Sequence, residues 1–558
     1  MLSIKKSTKN NWIWIIISLF IIISTLVLNL LFVYLVGFDI IKVFLKASYL
    51  FDFILIFTIS IILLSFNFPF IYKLYMEIKL KKKIIHIKIA IILKIISAIL
   101  LTLIIIFSIL STRRYFYHVY GKKPTAPVSY IQMSGPHVQF GPYKNNRVIS
   151  TSGKMIIWWY SPVKSSESQY LMFGKSQITK NMIKKKEIPH GDGKRHEVKL
   201  ENLSPSTTYY YYIPGFDNNI YNFSTGPDIN DKSSFNVLCI GDTSNHGGLK
   251  YSYYGEINSI AGEFYGNKKI KPAFKLLLGD IAYRGNDLDS WRIFFDNGDI
   301  HNPYLQSMTA FGNHESYRDY GGNFNYFFNR PRYYSFTYGN AHFIAINPFD
   351  GFKNIAGKDQ YKFIKGELKK YSGKKWIIIF LHVPPLSTGD FNMNRLLIAQ
   401  FYSLFRKYKV DLVLAGHDHH YDSFWIDKKA QWGGTIYIVN GGGGSRVDDY
   451  IMRRNHKSWQ TWYHQRTSDF GLYLHDEITR KYHIYGELSW GFLDIKINAN
   501  KLTTSYYRWM DIEKFLTATD QTYDSWKMMP IRKDIWEKFN FSKIELVHKL
   551  QKTRRFNK

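Results

Sequence analysis

The sequence predicts a membrane-anchored multidomain chain with three transmembrane helices, then a β-sandwich, then an α/β domain. Three observations carry that expectation. Long apolar runs open the chain, a short β-rich region comes next, and beyond it successive apolar runs end in polar residues with helix-like stretches between them.

Trp12 to Val36 carries no charge over 25 residues, Phe53 to Ile71 none over 19, and a third run from about Ile89 to Leu110 holds only Lys94. Each is long enough to cross a bilayer as a helix. The expected spans are about 12–36, 50–72 and 89–111, within a first region of 1–120. The first run exceeds the apolar stretch of a cleaved signal peptide, and no small-residue cleavage site comes after it. The loop "KLYMEIKLKKKIIHIK" is far more basic than "GFDIIKVFLK", which places the amino terminus and the basic loop in the cytoplasm. The expectation is an integral protein of the cell membrane, with everything after about residue 112 on the extracytoplasmic side.

With 558 residues there is room for three or four domains. The formal charge of +31, from 74 Lys plus Arg against 43 Asp plus Glu, suits anionic partners such as phosphates or anionic lipid. Lysine is abundant in every region, and no basic helix, zinc finger or RNA-binding signature accompanies it, which argues against nucleic acid. The lone Cys239 cannot form an internal disulfide. Within "FNVLCIGD" it reads as a small core residue.

Residues 125–228 read as the β-sandwich. "KMIIWWYSP" is a strand, "HEVKLENLSPSTTYYYYI" two strands around a turn, and "YNFSTGP" a closing strand. The spacing of Leu203, Pro205, Thr207 and Tyr209 is similar to the fibronectin type III signature, in which a tyrosine braces the corner between sheets. Nothing in this region looks catalytic, so its expected role is to position the α/β domain.

After residue 234 five apolar runs end in residues able to bind metal. "FNVLCIGDTS" ends at Asp242, "KLLLGDIAY" at Asp280 and Tyr283, and "MTAFGNHES" at Asn313 and His314. "WIIIFLHVPP" ends at His382 and "VDLVLAGHDHHYD" at His417 and His419. Helix-like stretches near Gln360–Lys370 and Asn394–Tyr408 separate some of them, as in an α/β core whose ligands gather at strand carboxyl ends. Taken singly, an Asp after Gly is turn chemistry and a His after a strand is a hydrogen-bonded core group. Taken together they offer oxygen and nitrogen donors without thiolate, a set for iron, manganese or zinc. Asp280 can bridge two ions through its two oxygens, and His417 and His419 can each reach a different one.

The series "GDTS", "GDIAY", "GNHE", "FLH", "GHDH" resembles the motifs of the metallophosphoesterases, and specifically the purple acid phosphatase family, over roughly residues 128 to 510. The resemblance implies a catalytic domain over 234–520, an α/β sandwich of mixed sheets flanked by helices. It implies two metal ions: one, iron(III), held by Asp242, Asp280, Tyr283 and His419; the other, Fe, Zn or Mn, held by Asp280, Asn313, His382 and His417. His314 would contact the phosphate or protonate the leaving alkoxide. Ser244 stands where the first motif has glycine, and "HVPPLSTGDFN" lacks the further histidines often found after the fourth. The glycine-rich "NGGGGSR" at 440–446 is expected as a tight loop near the metals. Residues 447–488 read as an insertion at the entrance, "WGFLDIKINANKLTTSYYRW" as a terminal hairpin, and 521–558 as a basic tail without readable role.

The expected activity is hydrolysis of phosphate monoesters outside the cytoplasm, on a phosphorylated small molecule or a lipid-linked phosphate. The alternatives are a phosphodiesterase using the same ions on nucleotides or lipid headgroups, and a catalytically silent surface binding protein.

Overall fold

The computed structural model describes residues 134–556 apart from short loops and two longer segments, 446–480 and 512–543; these residues belong to one compact unit, Tyr117–Lys558. The first region supplies β1 (Ser134–Phe140), the short β2 (Tyr143–Lys144) and β3 (Arg147–Val148), β4 (Met155–Pro162), β5 (Tyr170–Gly174), β6 (Asn181–Lys184), β7 (Lys186–His190), β8 (Gly193–Leu200), β9 (Thr208–Tyr212) and β10 (Tyr221–Ser224). Eight of them, all but β2 and β3, form two four-stranded antiparallel sheets, ordered β1-β4-β8-β7 and β10-β9-β5-β6. The two strands expected around a turn, β8 and β9, therefore lie in different sheets. At the corner between them the Tyr209 hydroxyl accepts the Ser204 N–H at 2.9 Å, the brace that the sequence spacing predicts.

Two features tie this region to the α/β elements. Arg195 donates to the Phe327 carbonyl at 2.7 Å, and the Gln139 amide to that of Phe328 at 2.8 Å. The strand β3 leaves the sandwich altogether.

The remaining elements are β11 (Phe235–Ile240), α1 (Tyr254–Asn267), β12 (Phe274–Leu277), α2 (Leu288–Gly298), β13 (Ser307–Thr309), α3 (Gly322–Phe328), β14 (Tyr334–Tyr338), β15 (Ala341–Ile346), α4 (Asp359–Tyr371), β16 (Trp376–Leu381), α5 (Arg395–Lys407), β17 (Leu412–Ala415), β18 (Tyr421–Ile426), β19 (Thr435–Asn440), β20 (His483–Glu487), β21 (Ser489–Ile497), β22 (Lys501–Asp511) and β23 (Glu545–Thr553). One sheet is six-stranded, ordered β13-β12-β11-β21-β22-β23; the other is nine-stranded, ordered β2-β3-β14-β15-β16-β17-β19-β18-β20. Both are mixed: β11, β12 and β13 run parallel, as do β15, β16, β17 and β19, while antiparallel strands close the edges.

Strand periodicity explains the layering. Successive side chains face opposite sides of a sheet, so Val237 and Cys239 pack between the two sheets with Phe343, Phe380 and Leu414. Leu238 and Ile240 face α1 and α2, against Ile257, Phe264 and Trp291. On the other sheet Ile377 and Ile379 face α4 and α5, against Ile364, Leu368 and Phe405. Helix, sheet, sheet, helix is the result. Strands covered on both faces must be apolar at every position, which is why these runs read as continuous in the sequence. Cys239 is fully buried and burial pushes its thiol pKa up, consistent with a core residue.

The structure corrects three expectations. Among the described residues no helix is long and apolar enough to cross a membrane. The longest, α1, has 14 residues, about 21 Å at 1.5 Å per residue, against a hydrocarbon core of roughly 30 Å. The membrane-anchored fold class is thus replaced by a mixed-sheet α/β fold with a β-rich amino-terminal region. The integral-membrane location with an extracytoplasmic catalytic domain loses its support with it. The expected spans 12–36, 50–72 and 89–111 lie outside the described residues.

Secondly, 483–487 belongs to the nine-stranded sheet as β20 and is not part of an insertion; 446–480 lies outside the described residues. Thirdly, β21 and β22 form the expected hairpin, but it is not terminal, because β23 pairs with β22 from Lys501↔Thr553 to Arg508↔Glu545. The end of the chain is stapled in place. Buried Asp411 accepts from Arg554 at 2.7 Å, meets the Lys552 ammonium at 2.7 Å, and takes the Ile377 N–H at 3.0 Å.

Candidate metal centre

The parallel strands of both sheets aim their carboxyl ends at one place. Asp242 follows β11, Asp280 follows β12 and Asn313 follows β13 on one sheet; His382 follows β16, and His417 with His419 follows β17, on the other. Asp242, Asp280 and His417 have φ of 56°, 50° and 73°. Such left-handed values cost of order 1–3 kcal/mol each and persist where the surroundings enforce them, commonly at functional sites. Gly279 precedes Asp280 at φ 91°, and a Cβ there would lie 2.7 Å from the His382 ring nitrogen. The Gly-Asp pair that looks like ordinary turn chemistry is a close approach between the two sheets.

Three donor atoms converge on His382 Nε2. Its Nε2 lies 3.1 Å from Asp280 Oδ2, 3.0 Å from Asn313 Oδ1 and 3.2 Å from His417 Nδ1. Its Nδ1 sits 2.9 Å from the Leu278 carbonyl and must donate to it, so in the neutral ring Nε2 presents a lone pair to the Asp280 and Asn313 oxygens. A proton or a cation there would satisfy both oxygens at once. Burial lowers the His382 pKa, but the charges of Asp280 and Asp242 outweigh it and raise the pKa to about 9. A metal ion meets the same demand for positive charge. Asp280, His382 and His417 have ligand atoms within 4.8 Å of one another.

Beside this cluster stands a second pair. His419 Nε2 is 3.4 Å from Asp242 Oδ1, a buried oxygen with no hydrogen-bond partner among the described residues, while Asp242 Oδ2 accepts the His417 N–H at 2.8 Å. Burial pushes the Asp242 carboxyl pKa up, against the pull of His382 and His419. A fully buried carboxylate with an orphaned oxygen fits a bound cation. Asp280, which faces His382, His314 and His417, is held well below the usual carboxylate range although burial works the other way.

The His314 side chain is 17% exposed, with Nε2 at 3.8 Å from Asp280 Oδ2. Its Nδ1 is 2.6 Å from the Tyr283 carbonyl, and the Tyr283 ring stacks on it at 5.2 Å. Seven of the eight residues expected at the site thus meet around one junction, and Tyr283 touches it through its carbonyl and its ring against His314.

Three supports were not legible as such. Glu315 is buried and accepts four backbone N–H groups: Asp280 at 2.9 Å, Ile281 at 2.7 Å, Ala282 at 3.1 Å and Gly312 at 2.7 Å. It locks the Asp280 loop to the Asn313 loop. Burial and the Asp280 charge push its pKa up to about 8, opposed by the His382 charge and the N–H bonds. Asp422 is a second brace: it accepts Thr388 N–H and Oγ1–H at 2.7 Å and faces His420 at 3.1 Å and His483 at 2.7 Å. It joins the segment after His382 to the His417–His419 loop. Finally, Ser244 is tied to the glycine-rich loop, where Ser445 Oγ donates to its carbonyl at 2.6 Å and the Ser445 N–H donates to Asp242 O at 3.0 Å. The glycine-rich segment is thus tied to the loop that carries Asp242.

Residues 235–421 match the calcineurin-like phosphoesterase family. The chain is 26% identical over 278 residues to purple acid phosphatase 21 of Arabidopsis thaliana, covering 46% of this chain and 60% of that one. It is 28% identical over 255 residues to the phosphoenolpyruvate phosphatase of Allium cepa, covering 41% and 50%. Residues 235–421 thus form a calcineurin-like phosphoesterase domain, similar to those of purple acid phosphatases. The structure of purple acid phosphatase PPD1 from yellow lupin (Lupinus luteus) seeds shares the fold at a TM-score of 0.54 and 18% identity, covering 68% of this chain and 72% of that one. The chain spans between half and three fifths of the two plant relatives named first. By these relationships it is a hydrolase of the acid phosphatase class, and the metallophosphoesterase family implies a binuclear metal centre.

Proposed function

We propose that the metallophosphoesterase domain hydrolyses phosphate monoesters at a two-metal centre. The observation that carries this reading is the convergence of Asp280, Asn313, His382 and His417 on one point with the Asp242–His419 pair beside it. Asp242, Asp280, Tyr283 and His419 would hold iron(III); Asp280, Asn313, His382 and His417 would hold Fe, Zn or Mn. When bound, the ions supply Lewis acidity toward phosphoryl oxygens and lower the pKa of water to near neutral.

The protein's own part is positional. Left-handed backbone at Asp242, Asp280 and His417 turns three donors into the junction. Leu278 O fixes the His382 tautomer, and Tyr283 O does the same for His314. With Nδ1–H held by a carbonyl, His314 Nε2 is the atom that contacts the phosphoryl group and, when protonated, gives its proton to the leaving oxygen. Its partial exposure lets a substrate reach it.

Selectivity tests the reading. With iron and zinc supplied, the full chain is expected to hydrolyse an aryl phosphate monoester faster than the matching diester, because His314 suffices as the acid without the further histidines often found after the fourth motif. Faster diester turnover would move the assignment to a phosphodiesterase.

A further inference from the structure

A cavity of about 330 Å³ opens beside the last turn of α1, lined by residues of β11, β21, β22 and β23. Asn236, at its wall, lies near the start of the strand that leads to Asp242. Six residues at about 3.3 Å each put the two roughly 20 Å apart. This cavity is not the metal centre.

Its lining is rich in donors. Lys501 and Lys549 have no acidic partner among the described residues, Lys268 and Lys496 lie within electrostatic reach of Asp494, and Lys268 also donates to the Tyr507 hydroxyl at 3.3 Å. The floor carries the hydroxyls of Thr503 and Ser505, at 8% and 6% exposure, neither with a hydrogen-bond partner among the described residues. The one carboxylate, Asp494, is already engaged: Oδ1 accepts from Asn236 at 2.9 Å and from the Tyr265 hydroxyl at 2.7 Å, and Oδ2 from Asn236 at 3.0 Å. Four lysines therefore face one carboxylate that already accepts three hydrogen bonds, and two accessible hydroxyls at the floor can donate.

We propose that this cavity is a second ligand site, which binds a small, multiply charged phosphoryl compound. Ammonium groups offer donors only and hydroxyls can donate, so the complementary ligand is an anion rich in acceptor oxygens. The volume falls at the lower end of small-molecule sites, roughly 300–1,000 Å³, so the ligand is larger than a single inorganic phosphate.

Calorimetric titration of the metal-loaded full chain with methylenediphosphonate, which cannot be hydrolysed, tests this. Two binding events are expected, one at the metal centre and one here. The double variant Lys496→Gln/Lys549→Gln should weaken one event at least tenfold and leave aryl phosphate turnover unchanged. Lys365→Gln/Lys369→Gln, which removes the same charge from exposed positions of α4, should leave both events intact. A single event, an isotherm unchanged in the first variant, or equal weakening in both variants overturns the proposal.

Discussion

Replacing His382 by Ala is expected to lower monoester turnover by at least about a thousandfold while leaving the fold intact. Its Nε2 stands within 3.2 Å of three other donor atoms, so its loss removes the group around which the second metal position is assembled. Asp280 would lose the largest positive influence on its carboxyl, and Asn313 its only described side-chain neighbour in the cluster. The two effects act together, because one position without its ion cannot share in offsetting the charge that develops on the phosphoryl group. A steady-state assay with circular dichroism alongside checks this. Activity within tenfold of wild type would remove His382 from the metal set.

Glu315→Gln is the second change with a large expected effect. Both carboxylate oxygens of Glu315 accept two N–H groups each. A Gln side chain has one acceptor oxygen, so its NH₂ group would face two backbone donors in a fully buried place. Leaving two buried donors unsatisfied costs about 1–3 kcal/mol each, so unfolding is expected to need about 2–6 kcal/mol less. The Asp280 and Asn313 loops would separate, and metal content should fall even at temperatures where the variant is folded. A melting curve with metal analysis reads both, and a variant that keeps stability and metal would refute the locking role.

The strand ends were the legible part of this molecule. A strand buried on both faces must be apolar throughout, so the first polar residue after it marks the point where it leaves the core. That is why Asp242, Asp280, Asn313, His382 and His417 stood out. The helices α4 and α5 were legible for the same kind of reason, through their periodic apolar faces. Pairing over long range was not. Nothing local to Glu545–Thr553 says that it will pair with β22, since its exposed lysines read as a solvated tail while Leu550 and Lys552 turn inward. Tyr209 announced a corner, but not that β8 and β9 would part into different sheets. Glu315 and Asp422 were hidden because a carboxylate that satisfies backbone N–H groups looks, in sequence, like any other acid. Apolar length alone pointed to a membrane, and the described fold is built of short helices packed on sheets.

The central claim is a binuclear metal centre at the junction of the two sheets. Metal analysis of the purified full chain, before and after chelation, with aryl phosphate turnover followed on the same samples, tests it most directly. Two ions per chain, lost together with activity and restored with it, is the predicted result. A chain that hydrolyses the ester at full rate without metal, or that holds no more than one ion at saturation, would contradict it.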